Sequence, residues 1–147
     1  MHVTLNKFSQ RVFELRTLPL LGMTIAANEM KTPSNEELVA RYEQVAIARG
    51  RALWNNDSQS ANDLFAEEIA IRRELASRVP SAISLLLSLL KSTDPWVRLD
   101  SATPALFFAP DQAEPVLELL AKEPKALGMT AWMNLDQWRQ GKLKRLW

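Results

Sequence analysis

Glu67 and Glu68 are the first residues in this chain whose type and spacing could do chemistry. Paired carboxylates can act as general acid and general base when their surroundings push their pKa values apart. Asp63 and Glu74 lie in the same segment, and Arg72, four residues after Glu68, can pair with it on one helix face. A solvated helix face laced with ion pairs accounts for the same residues and is the preferred reading. Elsewhere the chain offers no reactive constellation. It has one histidine, His2, and no cysteine. That removes zinc sites built from His and Cys, and Ser–His or Cys–His nucleophile pairs. The expectation is therefore no enzyme: no catalytic residue, no cofactor and no metal.

Five tryptophans are the other conspicuous side chains: Trp54, Trp96, Trp132, Trp138 and Trp147. Exposed aromatics can anchor a protein interface or stack on bases. Trp132 lies among Met129, Met133 and Leu135, which argues for core packing. Trp96 follows a turn and divides evenly between packing and partner contact. Trp138 and Trp147 flank a basic end. The residues expected to touch a partner are Trp96, Asp100, Glu67, Glu68 and Trp138.

The elements that must position them are helices. Strand alternation and hairpin dipeptides are missing from the whole sequence. Ser34 with Glu37 forms a capping box that opens a helix to about Trp54. A second helix is predicted from about Ala61 to Ser77, with Leu64, Phe65, Ile69, Arg72 and Leu75 near one face. Residues 81–92 read as a third, with Ile83, Leu86, Leu87 and Leu90 on one apolar stripe and Leu85 and Leu89 on another. A helix apolar on both sides is expected to be sandwiched. Asp94 is a good N-cap and Pro95 a good first residue for a fourth helix over 95–108, in which Pro104 predicts a kink. A fifth opens at Asp111, with Val116, Leu117 and Leu120 inward. The sixth runs from about Ala126 to Gln140 and stops at Gly141. The three hairpins, 34–77, 81–108 and 111–140, repeat at the period of an α-solenoid.

Asp94, Pro95, Val97 and Arg98 resemble the opening of the second helix of a HEAT repeat. The resemblance implies that Arg98 reaches back toward the turn and helps hold the stack. More of the chain is similar to a small bacterial HEAT-like family known as domain of unknown function 2019. The likeness rests on Glu37-Leu38-Val39-Ala40-Arg41-Tyr42, Asn62-Asp63-Leu64-Phe65, Asp94-Pro95-Trp96-Val97-Arg98-Leu99, Ala109-Pro110, Ala126-Leu127-Gly128-Met129, Ala131-Trp132 and Asn134-Leu135-Asp136. Pro104 departs from it. The family implies a compact stack of helices and no established activity. HEAT-like domains of this size occur among immunity proteins of bacterial toxin systems.

The domain plan is an N-terminal extension (1–33), an all-α HEAT-like domain (34–141) and a basic tail (142–147). The extension reads either as a short amphipathic helix (Val3, Leu5, Phe8, Val12, Phe13, Leu15) or as an over-long start, with the true one at Met23 or Met30. Residues 17–30 imitate a signal peptide, but Glu14 interrupts the basic region, and Pro19 and Gly22 break the apolar one. No run approaches the roughly 18 apolar residues of a spanning helix. The compartment expected is the cytoplasm.

Charge is unevenly spread. Residues 34–136 carry 10 Lys and Arg against 15 Asp and Glu, whereas 137–147 carry four basic residues and no acid. An acidic body suits steering toward a basic partner, and it disfavours nucleic-acid binding by the whole domain. The function expected is a non-catalytic protein-interaction module, most concretely an immunity-type inhibitor of a toxin. The alternative is a nucleic-acid-associated module acting through the tail with Trp147. A solvated, frayed terminus is the plainer reading of that tail.

Overall fold

Ser34 starts the first helix as its spacing predicts. Its hydroxyl accepts from the Glu37 amide and the Glu37 carboxylate accepts from the Ser34 amide, both at 3.0 Å. The computed structural model describes residues 32–79 and 82–147. The readings of residues 1–31, as amphipathic helix, signal-like segment or over-long start, lie outside these. Among the described residues there are six helices and no strand. They are α1 (Asn35–Trp54), α2 (Ser58–Arg78), a 3-10 helix (Ala82–Lys91), α3 (Pro95–Ala105), α4 (Pro110–Leu120) and α5 (Lys125–Arg139).

The three expected hairpins form: α1 packs on α2, the 3-10 helix on α3, and α4 on α5. The result is the HEAT-like stack of helical hairpins. Helix α3 is its hub, touching α1, the 3-10 helix, α4 and α5. Accordingly α3 is the most thoroughly buried element, with Val97, Leu99, Ala102 and Ala105 fully enclosed.

The third helix differs in its winding from the expected one. In a 3-10 helix every third residue eclipses, so Ile83, Leu86 and Leu89 fall in one line. All three are buried. Leu85, assigned by helical spacing to a second buried stripe, is instead exposed.

Asp94 opens α3 through Oδ1, which accepts from the amides of Trp96 and Val97 at 2.8 and 3.2 Å. Arg98 Nη1 donates to the Ser92 carbonyl at 2.7 Å, so it does reach back to the turn. Asp94→Ala should lower stability by about 1 kcal/mol, the usual worth of such a cap. Urea unfolding checks this, and an unchanged midpoint would show that the cap contributes nothing.

Helix α3 ends at Ala105, three residues short of the expected 108. Beyond it the chain tightens into three-residue turns, with the Phe107 and Phe108 amides donating to the Pro104 and Ala105 carbonyls at 3.1 Å, and Pro110 disfavours helical backbone at the residue before it.

Candidate functional site

Helix α2 turns its charges inward. Its buried residues include Glu67, Glu68, Ile71, Arg72 and Leu75, which recur at three- and four-residue steps. Glu67 and Glu68 are only 2 % and 0 % exposed, so the solvated acidic face expected from the sequence is corrected. The signal was present: Arg72 shares the apolar face with Leu75, and Glu68 lies four residues before Arg72.

These side chains meet others from α1 and α3. The Tyr42 hydroxyl donates to the Asp100 carbonyl and accepts from Arg72 Nε at 3.0 Å. Arg49 Nη1 donates to Asp100 Oδ1 at 2.6 Å. Arg72 Nη2 stands 4.0 Å from Glu68 Oε2, and Arg41 holds Glu67 at the edge of the cluster, with Nε 2.6 Å from Oε2. The Phe65 ring lies beside both guanidiniums, at 5.0 Å from that of Arg49 and 5.8 Å from that of Arg72.

Pro104 has a part in this arrangement. In a continuous helix the Asp100 carbonyl accepts the amide four residues on, and Pro104 has none. The Tyr42 hydroxyl supplies the missing donor from another helix, as a buried carbonyl requires.

Neither Glu68 oxygen, nor Asp100 Oδ2, receives a hydrogen bond from a donor group. Two carboxyls can then bond each other only if one is protonated. Burial raises the Glu68 pKa well above the ordinary range, and the Asp100 charge and a hydrogen bond to it add to the shift. Glu68 is accordingly the neutral partner. Burial likewise raises the Tyr42 hydroxyl and keeps it protonated. Burial works against the Arg49 charge, but the charge of Asp100 and the hydrogen bond to it favour that charge, and the net direction of the Arg49 pKa is up. Glu68 is fully enclosed, whereas a general acid works within hydrogen-bond reach of its substrate. Among the described residues no group of three or more His, Cys, Asp or Glu could hold a metal ion.

The cluster forms the floor of a cleft of about 260 Å³. Arg49, Arg72 and Asp100 line it on one side, with Thr130, Lys144 and Trp147 among the residues opposite. The basic tail closes that side, correcting the frayed terminus expected for it. Trp147 is half-buried and meets Phe107 and Phe108 edge-on at 5.5 and 6.4 Å. Arg145 lies over the Trp147 ring at 4.8 Å.

The remaining tryptophans divide differently from expectation. Trp96 is half-buried and its indole lies on Gly50, where an added Cβ would come within 2.4 Å of the ring. It lines a groove of about 650 Å³ with Trp54, Pro95 and Lys125. Trp138 is half-buried too, donating from Nε1 to Glu114 at 2.9 Å. Asp100 is 4 % exposed. Of the five residues expected to touch a partner, three are thus buried in or beside the charged cluster and two are half-buried by packing. Trp132, expected in the core, is 58 % exposed, and Met129 and Met133 beside it are 64 % and 50 % exposed. Gly128, Ala131 and Leu135 take the buried face of α5 instead. The local cluster of apolar residues around Trp132 does not reveal which side of α5 is covered.

The family described as a domain of unknown function, DUF2019, matches residues 36–137. The crystal structure of the protein RPA1889 from Rhodopseudomonas palustris CGA009 is similar, with a TM-score of 0.70 and 30 % identity. The likeness covers 76 % of this chain and 93 % of that one. No curated protein matches.

Proposed function

This chain belongs to the DUF2019 family, and from that premise we propose that it is a non-catalytic protein-binding module whose contact face is the outer side of α5. The carrying observation is the stripe of Met129, Trp132 and Met133, spaced three and four residues apart and at least half exposed among the described residues. The end of a helical stack ordinarily needs a polar outer face to stay in solution. A tryptophan between two methionines is instead the composition of an interface centre, an aromatic anchor with adaptable neighbours.

The partner proposed is a protein with an apolar recess for Trp132 and a basic rim. Three of the fifteen acids in residues 34–136, and one of the ten bases, are buried, which leaves a surplus of three acids at the surface. That supports a basic rim less strongly than the sequence does, because buried acids do not steer a partner. An immunity-type inhibitor covering a toxin domain, acting in the cytoplasm, is the most concrete form of this reading. It rests on the fold and size of the domain. No helix among the described residues is long and apolar enough to cross a membrane.

The test is to capture a stoichiometric partner with the full chain and repeat the capture with Trp132→Glu. A glutamate at an interface centre should weaken the complex by two orders of magnitude or more, the loss expected of an anchor worth about 3 kcal/mol. The melting curve should be unchanged, because the side chain is not in the core. A partner retained equally by the variant would remove α5 from the interface.

A further inference from the structure

The cleft on the floor of charged side chains is not needed by the proposed docking face, and its chemistry is different. Arg72 is 3 % exposed, yet its outer nitrogens make no approach closer than 4.0 Å to Glu68. Trp147, across the cleft, has a buried Nε1–H with no acceptor. Buried donors without partners are uncommon and costly. Arg72 and Trp147 line the same space, and the Trp147 N–H asks for an acceptor. The cations Arg49, Arg72 and Lys144 border the cleft, against the single carboxylate of Asp100. Phe107 and Trp147 supply flat apolar wall, edge to face. A volume of about 260 Å³ falls just below the ~300–1,000 Å³ of drug-sized sites, so the occupant is small.

We propose that this cleft binds a small aromatic oxyanion, a carboxylate or phosphate carried on a single planar ring, with the oxygens on Arg49 and Arg72 and the ring against Phe107 and Trp147. Guanidinium groups suit this task because they meet either oxyanion with two parallel N–H donors. Burial and the neighbouring Asp100 charge push the Glu68 pKa up, which weakens Glu68 as a counter-charge to Arg72. Ring and headgroup are read separately: the floor selects charge, and the wall selects a flat apolar body.

The test is calorimetric titration of the full chain with three probes: benzoate, phenyl phosphate and inorganic phosphate. One of the two aromatic anions should bind saturably with a dissociation constant of about 1 mM or tighter, and the one that does identifies the headgroup. Inorganic phosphate should bind at least tenfold more weakly. Two substitutions avoid the buried cluster. Lys144→Glu reverses an exposed charge at the rim, and should weaken binding about tenfold. Thr130→Trp fills the cleft from α5 and should abolish binding, with circular dichroism showing the fold intact. Trp132→Glu should bind the probe as the unaltered chain does, which keeps this result separate from the fate of the docking face. The proposal is overturned if neither aromatic anion binds saturably, if inorganic phosphate binds as tightly as they do, or if both rim variants bind like the parent.

Discussion

Gly128→Ala is expected to destabilise the protein by about 3 kcal/mol, the upper part of the range for overpacking. Helix propensity alone argues the other way, since alanine inside a helix is favoured over glycine by about 1 kcal/mol. The tertiary structure reverses the sign. A Cβ on Gly128 would lie 1.7 Å from the Glu123 carbonyl oxygen and 3.2 Å from that of Ala121. Both are backbone atoms of the turn joining α4 to α5, so no side chain can rotate out of the way. Relief requires the turn to move, and with it the seating of Ala131 and Leu135 against Leu117 and Leu120. Urea unfolding of the variant measures the loss. A variant as stable as the parent, or more so, would mean that the hairpin accommodates the methyl group at no cost.

The second large effect belongs to the buried cluster. Asp100→Ala should cost about 3–5 kcal/mol, because removing one partner of a buried ion pair strands the other. The stranded group is the Arg49 guanidinium, now 2.6 Å from Asp100 Oδ1. Glu68→Gln should act in the opposite direction, and only away from acid pH. The folded-state pKa of Glu68 is raised above the ordinary 4.5 that it regains on unfolding. The folded protein therefore holds a proton that the unfolded chain releases. Its contribution to stability falls as pH rises from about 4.5 toward the raised folded value. Glutamine has the shape of the protonated acid, offers an N–H to Asp100 and does not titrate. Parent and variant should match near pH 4, with the variant gaining steadily toward pH 8. Denaturant midpoints at a series of pH values decide it. Parallel curves would show that Glu68 is ionised in the folded protein.

Much of the architecture was legible along the chain. The capping box at Ser34 and Glu37, the cap at Asp94 and the stop at Gly141 are local devices, satisfied by atoms two or three residues away. Arg98 reaches only a little further, to the Ser92 carbonyl six residues back. The pairing of helices into three hairpins also followed, since short turns leave successive helices little choice of neighbour. The winding of residues 82–91 was less legible, because Ile83, Leu86 and Leu89 at a spacing of three suit either helix type.

The site residues were harder to place for a different reason. Glu67, Glu68 and Arg72 form the same pattern along α2 whether their partners are water or another helix. What separates the cases is Arg41, Tyr42 and Arg49 on α1 and Asp100 on α3, between 26 and 58 positions apart along the chain from the residues they hold. Pro104 shows the same division. By itself it predicts a broken helix and an orphaned carbonyl, and the donor that rescues that carbonyl is Tyr42, 58 residues from Asp100. On α5, Trp132 with Met129 and Met133 reads as core, because apolar residues ordinarily mark the covered face. Gly128, Ala131 and Leu135 took that face, because the backbone of the preceding turn comes so close at Gly128 that no side chain fits there. The sequence by itself determined the helices, their caps and their order. The tertiary structure alone decided which charges are buried and which aromatic residues face outward, because burial depends on what another helix brings to the same place, and no local pattern encodes that neighbour.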